Sequence, residues 1–83
     1  MSEITVGKVS DFYKRPVVAG IEVTAPIKLG DRIRIKGHTT DFECTVDSMQ
    51  IDNHDVRECK AGDSIGIKVP DRVRRDDAVY LLV

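Results

Sequence analysis

Apolar and polar residues alternate one for one along most of this 83-residue chain, and no ten-residue segment carries a helical stripe. A period of two sends successive side chains to opposite faces of an extended backbone, so the pattern commits the chain to β-structure. In "EITVGKVSDF", Ile4 and Val6 are in phase, whereas Val9 falls out of phase after Gly7. That slip beside a glycine predicts a β-bulge. "YKRP" reads as a turn, and "VVAGIEVTA" then places Val17, Ala19, Ile21 and Val23 on one face until Pro26 ends the strand. A third strand runs from Arg32 to Lys36. The fourth is "DFECTVDSMQID", where Phe42, Cys44 and Val46 share a face but Met49 and Ile51 need the opposite parity. A second bulge near Asp47 and Ser48 would reconcile them. "NHDVRECKAGD" reads as a loop with Val56 and Ala61 tucked inward, "SIGIKV" is the fifth strand, and "AVYLLV" closes the chain after the loop "DRVRRDD". Six short strands with bulges and Gly-Asp turns predict an all-β fold, a small six-stranded Greek-key-like β-barrel forming a single domain over residues 1–83.

One internal echo sharpens that expectation. "KLGDRIRIK" and "KAGDSIGIK" share Lys, Gly, Asp, Ile, Ile and Lys at identical spacing. Glycine permits the positive φ of a sharp turn, and the following aspartate can bind the turn's backbone donors. Two isoleucines, two apart, then enter the core from one face. The echo reads as one entry device used twice.

Size and charge narrow the function. A domain this small buries roughly 60–65% of its unfolded surface, which leaves little room for a buried catalytic cleft. No Ser, Cys or Lys lies in a nucleophile motif, and no carboxylate pair has surroundings that would separate two pKa values, so no catalytic residue and no cofactor is assigned and the chain reads as no enzyme. Asp76 and Asp77 are adjacent, facing opposite ways in a strand or solvated in a turn. Cys44, Cys59, His38 and His54 lack the tight ligand pairs of a zinc site, so no metal is expected. The first ten residues, "MSEITVGKVS", show neither a basic nor an apolar leader region, and no apolar run reaches membrane-spanning length. The expectation is a cytoplasmic, monomeric protein without a membrane partner.

Thirteen basic residues against fourteen acidic ones give a net charge of −1, so any nucleic-acid binding must come from a local patch. Three basic groupings stand out: Lys14 with Arg15, the trio Arg72, Arg74 and Arg75, and the alternating Arg32, Arg34 and Lys36. Small barrels that bind nucleic acid couple cations with exposed aromatic rings. Tyr13, beside Lys14 and Arg15, is the one aromatic so placed; the same "FYKR" tip also reads as a solvated hairpin end. In the ladder, pairing inward residues of strands three and four predicts Lys36 opposite Glu43, Arg34 opposite Thr45 and Arg32 opposite Asp47. Arg34 is then the cation without an anion across from it.

The stretches "VGKVSDFYKRPVVAGIEV", "PIKLGDRIRIKG", "CTVDSMQID" and "ECKAGDSIGIKV" together resemble the second domain of translational GTPases, the β-barrel that follows the nucleotide domain in elongation factor Tu. "TTDFECTVDSMQID" looks closer still to the barrel at the C-terminus of collagenase-like peptidases, a family with members in RNA modification. The chain has no GxxxxGK[ST] loop and no NKxD motif, so no GTP binding is implied. What the resemblance implies is a stand-alone binding module acting on RNA (tRNA or rRNA) or on the translation machinery. The alternative is a protein-interaction barrel that docks an RNA-modifying or peptidase-like enzyme. Aligned on "AGD", the translation factor's acceptor-end pocket falls at Gln50, at Asp52 and Asn53 where that family has cations, and at Ser64. The nucleic-acid-binding residues expected are therefore Tyr13, Lys14, Arg15, Arg34, Gln50, Asn53 and Ser64.

Overall fold

A computed structural model describes residues 3–14 and 17–83. It is all-β, with no helix among the described residues and hence none long and apolar enough to cross a membrane. Six strands of five residues or more fall on those expected, the fourth only over its first part: β1 (Glu3–Lys14), β2 (Val17–Val23), β4 (Arg32–Lys36), β5 (Asp41–Thr45), β9 (Ser64–Lys68) and β10 (Ala78–Leu82). Four two-residue strands complete the set: β3 (Ile27–Lys28), β6 (Gln50–Ile51), β7 (His54–Asp55) and β8 (Glu58–Cys59). Eight strands form one sheet in the order β5-β4-β10-β1-β2-β9-β6-β7, and β3 pairs with β8 in a separate ribbon.

Chain connectivity forces this sheet to curl. Strands β5 and β6 lie six places apart in it. In a flat sheet that is about 29 Å at 4.8 Å per step. Yet Thr45 and Gln50 are joined only by residues 46–49, which reach at most about 18 Å. The expected single bulged fourth strand is thus two strands at different positions in the sheet, linked by a crossing segment whose apolar side chains, Val46 and Met49, are buried. The β3–β8 ribbon lies along that crossing: Leu29 N–H donates to Arg57 O, Gly30 N–H to Val46 O, and Val46 N–H to Asp31 O, each at 2.9 Å. Inside sits one core, supplied by alternate residues such as Ala19, Ile21 and Val23 of β2, Ile33 and Ile35 of β4, Ile65 and Ile67 of β9, and Val79 of β10.

The bulge expected near Gly7 is present. The β1–β10 register shifts between Thr5 and Gly7, which lets both Val6 and Val9 face the core. A Cβ on Gly7 would stand 2.6 Å from the Glu22 carbonyl oxygen, so the close approach needs glycine. Ile4, expected inward, is 48% exposed because the bulge resets the phase after it. Tyr13 and Lys14 belong to β1 rather than to a turn, and Ala61 is exposed rather than tucked inward.

The echo is one turn used three times. Lys28 N–H donates to Asp31 Oδ2 at 3.0 Å while Asp31 N–H donates to Lys28 O; Lys60 and Asp63 repeat both bonds, at 2.9 and 3.1 Å. Gly30 and Gly62 take positive φ (91° and 96°), as the third position of such a turn requires. Each turn also clamps a neighbouring segment: Gly30 N–H and Asp31 O hold Val46 of the crossing, and Gly62 N–H and Asp63 O hold Val23 of β2. The third copy is Arg74–Asp77. Arg74 N–H donates to Asp77 Oδ2 at 2.8 Å, Asp76 N–H donates to Val9 O, and Val9 N–H donates to Asp77 O. Here Asp76 fills the glycine's place at φ 72°. The adjacent aspartates thus have different roles: Asp76 is exposed, whereas Asp77 is buried, with its side chain tied into the turn. The three turns launch β4, β9 and β10.

The β4–β5 hairpin corrects the predicted register by two residues: Arg32 faces Thr45, Arg34 faces Glu43 and Lys36 faces Asp41. Arg34, expected to lack an anion, is instead the most fully engaged cation of the ladder. Its Nε and Nη2 donate to the two oxygens of Asp41 at 2.8 and 2.9 Å, and Nη1 reaches Glu3 at 3.3 Å. The hydrogen bonds from Arg34 hold the Asp41 carboxyl below its usual range. A carboxyl depressed in the folded state stabilises above its unfolded pKa, near 4, and loses that contribution as pH falls through the folded value. Arg34→Gln is therefore expected to lower the urea midpoint at neutral pH, with the two proteins converging in acid. A difference that does not change with pH would refute this assignment.

Candidate functional site

A concavity of about 720 Å³, open to solvent, lies on the outer face of the sheet over β1, β2, β9 and β6. Strand register explains it. Asp11 faces Gly20, Gly20 faces Gly66, Gly66 faces Gln50, and Gln50 faces Asp55, a continuous row across five strands. The two central members have no side chains. Gly20 lies between buried Ala19 and Ile21, and Gly66 between buried Ile65 and Ile67, so both turn outward and floor a trough. A Cβ at Gly66 would touch Val18 Cγ1 at 3.3 Å, and one at Gly20 would touch Asp11 Cβ at 3.2 Å. Glycine inside a strand is where another chemical group can approach the backbone closely.

Tyr13 and Val18, paired across β1 and β2, form one wall, and Ser10 and Ser64 stand on the other side. Asp11 closes the β1 end: its Oδ1 accepts from Phe12 N–H at 2.9 Å and its Oδ2 from the Tyr13 hydroxyl at 3.3 Å. Gln50 closes the β6 end, its Nε2 donating to Asp55 Oδ1 at 3.0 Å. Asp52 and Asn53 project from the β6–β7 hairpin. With Ile51 opposite His54 and both turn residues at positive φ (51° and 65°), this is a two-residue type I′ turn, where Asp and Asn suffer least among residues with a Cβ.

Four of the residues expected from the sequence meet in the trough: Tyr13, Gln50, Asn53 and Ser64. Lys14 is exposed at the end of β1 but does not line it, Arg34 is ion-paired on β4, and Arg15 lies outside the described residues. Sequence reasoning missed Asp11, Gly20 and Gly66. Their signal was outward glycines at the centre of strands two and five, "AGI" and "IGI", which only the strand register places side by side. Among the described residues no cation lines the trough; the charged residues that do are Asp11 and Asp52. Among the described residues no group of three or more His, Cys, Asp or Glu is arranged to hold a metal ion. Burial raises the pKa of both Cys44 and Cys59, the reverse of what activates a thiolate.

Solved structures share this curled all-β fold. The C-terminal domain of a Geobacillus thermoleovorans protein described as a U32 peptidase superposes with a TM-score of 0.89, covering 95% of this chain and 92% of that domain at 11% identity. Its selenomethionine variant gives 0.87, covering 92% and 96%. The likeness to the peptidase C-terminal domain expected from the sequence thus holds at the level of fold. An uncharacterized protease of Methanocaldococcus jannaschii is 46% identical over 81 residues, 96% of this chain. The chain spans only 20% of that protein's length. No protein-family model matches the sequence.

Proposed function

We propose that this chain is a non-enzymatic accessory binding module for a peptidase-like enzyme, with the glycine-floored trough as its ligand surface. The observation that carries the reading is the 46% identity of nearly the whole chain to one fifth of a longer protease. The fold of a peptidase's C-terminal domain supports it. The trough supplies a recognition surface, while the raised thiol pKa values argue against nucleophilic chemistry. The test is recovery of the tagged 83-residue chain from cells of its source, with and without nuclease. The expected result is a peptidase-like protein that stays bound after nuclease treatment. The resemblance to translation-factor barrels makes RNA the competing ligand, and loss of all bound material to RNase would replace the accessory reading with an RNA-binding one.

A further inference from the structure

We propose that the Gly20–Gly66 slot receives a guanidinium side chain presented by an extended basic segment of a protein partner. The inference rests on the accessory reading for the partner being a protein, and it adds the chemistry by which the trough selects it. The slot is flat because two glycines in register form its floor, and it is bounded along each strand by side chains about 7 Å away on either side. A planar group can lie there against the peptide planes. Its ends present acceptors: Asp11 at one, Asp52 and Gln50 at the other. Gln50 gives one of its two Nε2 N–H donors to Asp55, and its carbonyl oxygen adds an acceptor to the carboxylates.

A guanidinium carries five N–H donors, no acceptor and a permanent positive charge, the complement of such a lining. The Tyr13 ring, 54% exposed and steadied through its hydroxyl on Asp11, offers a face for cation–π stacking beside the carboxylate. A phosphodiester brings acceptors and negative charge to the same atoms and is repelled.

The 83-residue chain is small enough for amide-resolved NMR titration. The probe is a short acetylated, amidated peptide of sequence Gly-Ser-Arg-Ser-Gly, compared with its citrulline counterpart, which keeps the shape without the charge, and with a uridine oligonucleotide. Saturable shifts at the Gly20 and Gly66 amides are expected with the arginine peptide. Affinity should fall about tenfold with citrulline and by a similar factor in the Asp11→Asn, Asp52→Asn double variant, the scale of one or two charge-assisted hydrogen bonds. Both substitutions preserve the backbone: Asn keeps the Oδ1 that accepts from Phe12, and Asn tolerates positive φ. Gly66→Ala, which fills the floor, should weaken binding while leaving the spectrum dispersed. Equal binding of the citrulline peptide, or shifts at these amides with the oligonucleotide alone, would overturn the proposal. Retention of a peptidase-like partner by the double variant would sink the guanidinium inference and leave the accessory reading standing. Arginine-peptide binding without any such partner would do the opposite.

Discussion

Gly37→Ala is expected to destabilise the fold by about 2–3 kcal/mol, a loss on the order of 10–20 °C in Tm for a chain of this size. The cause is not conformational freedom but Asp77. A Cβ on Gly37 would run into the Asp77 carboxyl group, at a separation no real Cβ shows. Neither group can easily move away. Gly37 N–H donates to Thr40 O at 2.7 Å, while Asp77 is only 5% exposed and accepts from Arg74 N–H through Oδ2. The Asp77 backbone carbonyl also holds Val9 of β1. Displacing the carboxylate thus opens the third turn, releases its clamp and strands buried polar groups. A double-mutant cycle isolates the effect. Asp77→Ala alone should cost about 1–2 kcal/mol by removing the side-chain cap. With the carboxylate gone, the alanine methyl at 37 has room, so the double variant should be less destabilised than the sum by at least about 1 kcal/mol. Strict additivity in thermal or urea unfolding would show that the two residues do not clash.

This turn also marks how far the sequence could be read. Where the turn is written as Lys-x-Gly-Asp, glycine and aspartate declare the conformation, and both copies have the geometry expected of them. Where it is written "RRDD", Asp76 adopts the left-handed backbone without the glycine that signals it, and two adjacent carboxylates look alike until packing buries one. The long strands were legible because burial on one face imposes the period of two. The short strands β3, β6, β7 and β8 were not, since two residues cannot display a period. The trough divides in the same way. Resemblance brought Gln50, Asn53 and Ser64 forward, and exposure beside cations brought Tyr13. Its floor is a property of register, because Gly20 and Gly66 become neighbours only when β2 pairs with β9. Register also undid the prediction for Arg34. Matching inward residues admits shifts of two, and the bidentate bond to Asp41 accompanies the other choice.

The second large effect is expected at Met49, in the segment that carries the chain from β5 to β6. Met49 is 1% exposed, and its carbonyl accepts from Val56 N–H at 2.9 Å, tying the segment to the residues just after β7. Met49→Ala should cost about 2–4 kcal/mol, the range for truncating a buried unbranched side chain. Leu29→Ala, at a position 38% exposed, should stay within about 1 kcal/mol. Location predicts more than magnitude. Strands β6 and β7 are two residues each and lie at the end of the sheet beyond β9, where little besides Met49 and half-buried Ile51 and Val56 ties them to the core. Loosening that anchor should first release the strands that depend on it. Hydrogen exchange at Gln50 and Asp55 should therefore accelerate more than at β1 and β2, where a seven-pair register holds the sheet independently. Because β6 and its turn supply Gln50, Asp52 and Asn53 to the trough, the same variant should bind the arginine peptide less tightly although no residue lining the trough has changed. Uniform acceleration across the whole sheet would mean that Met49 contributes only to global stability. The wall that β6 gives the trough would then not depend on how the crossing segment packs.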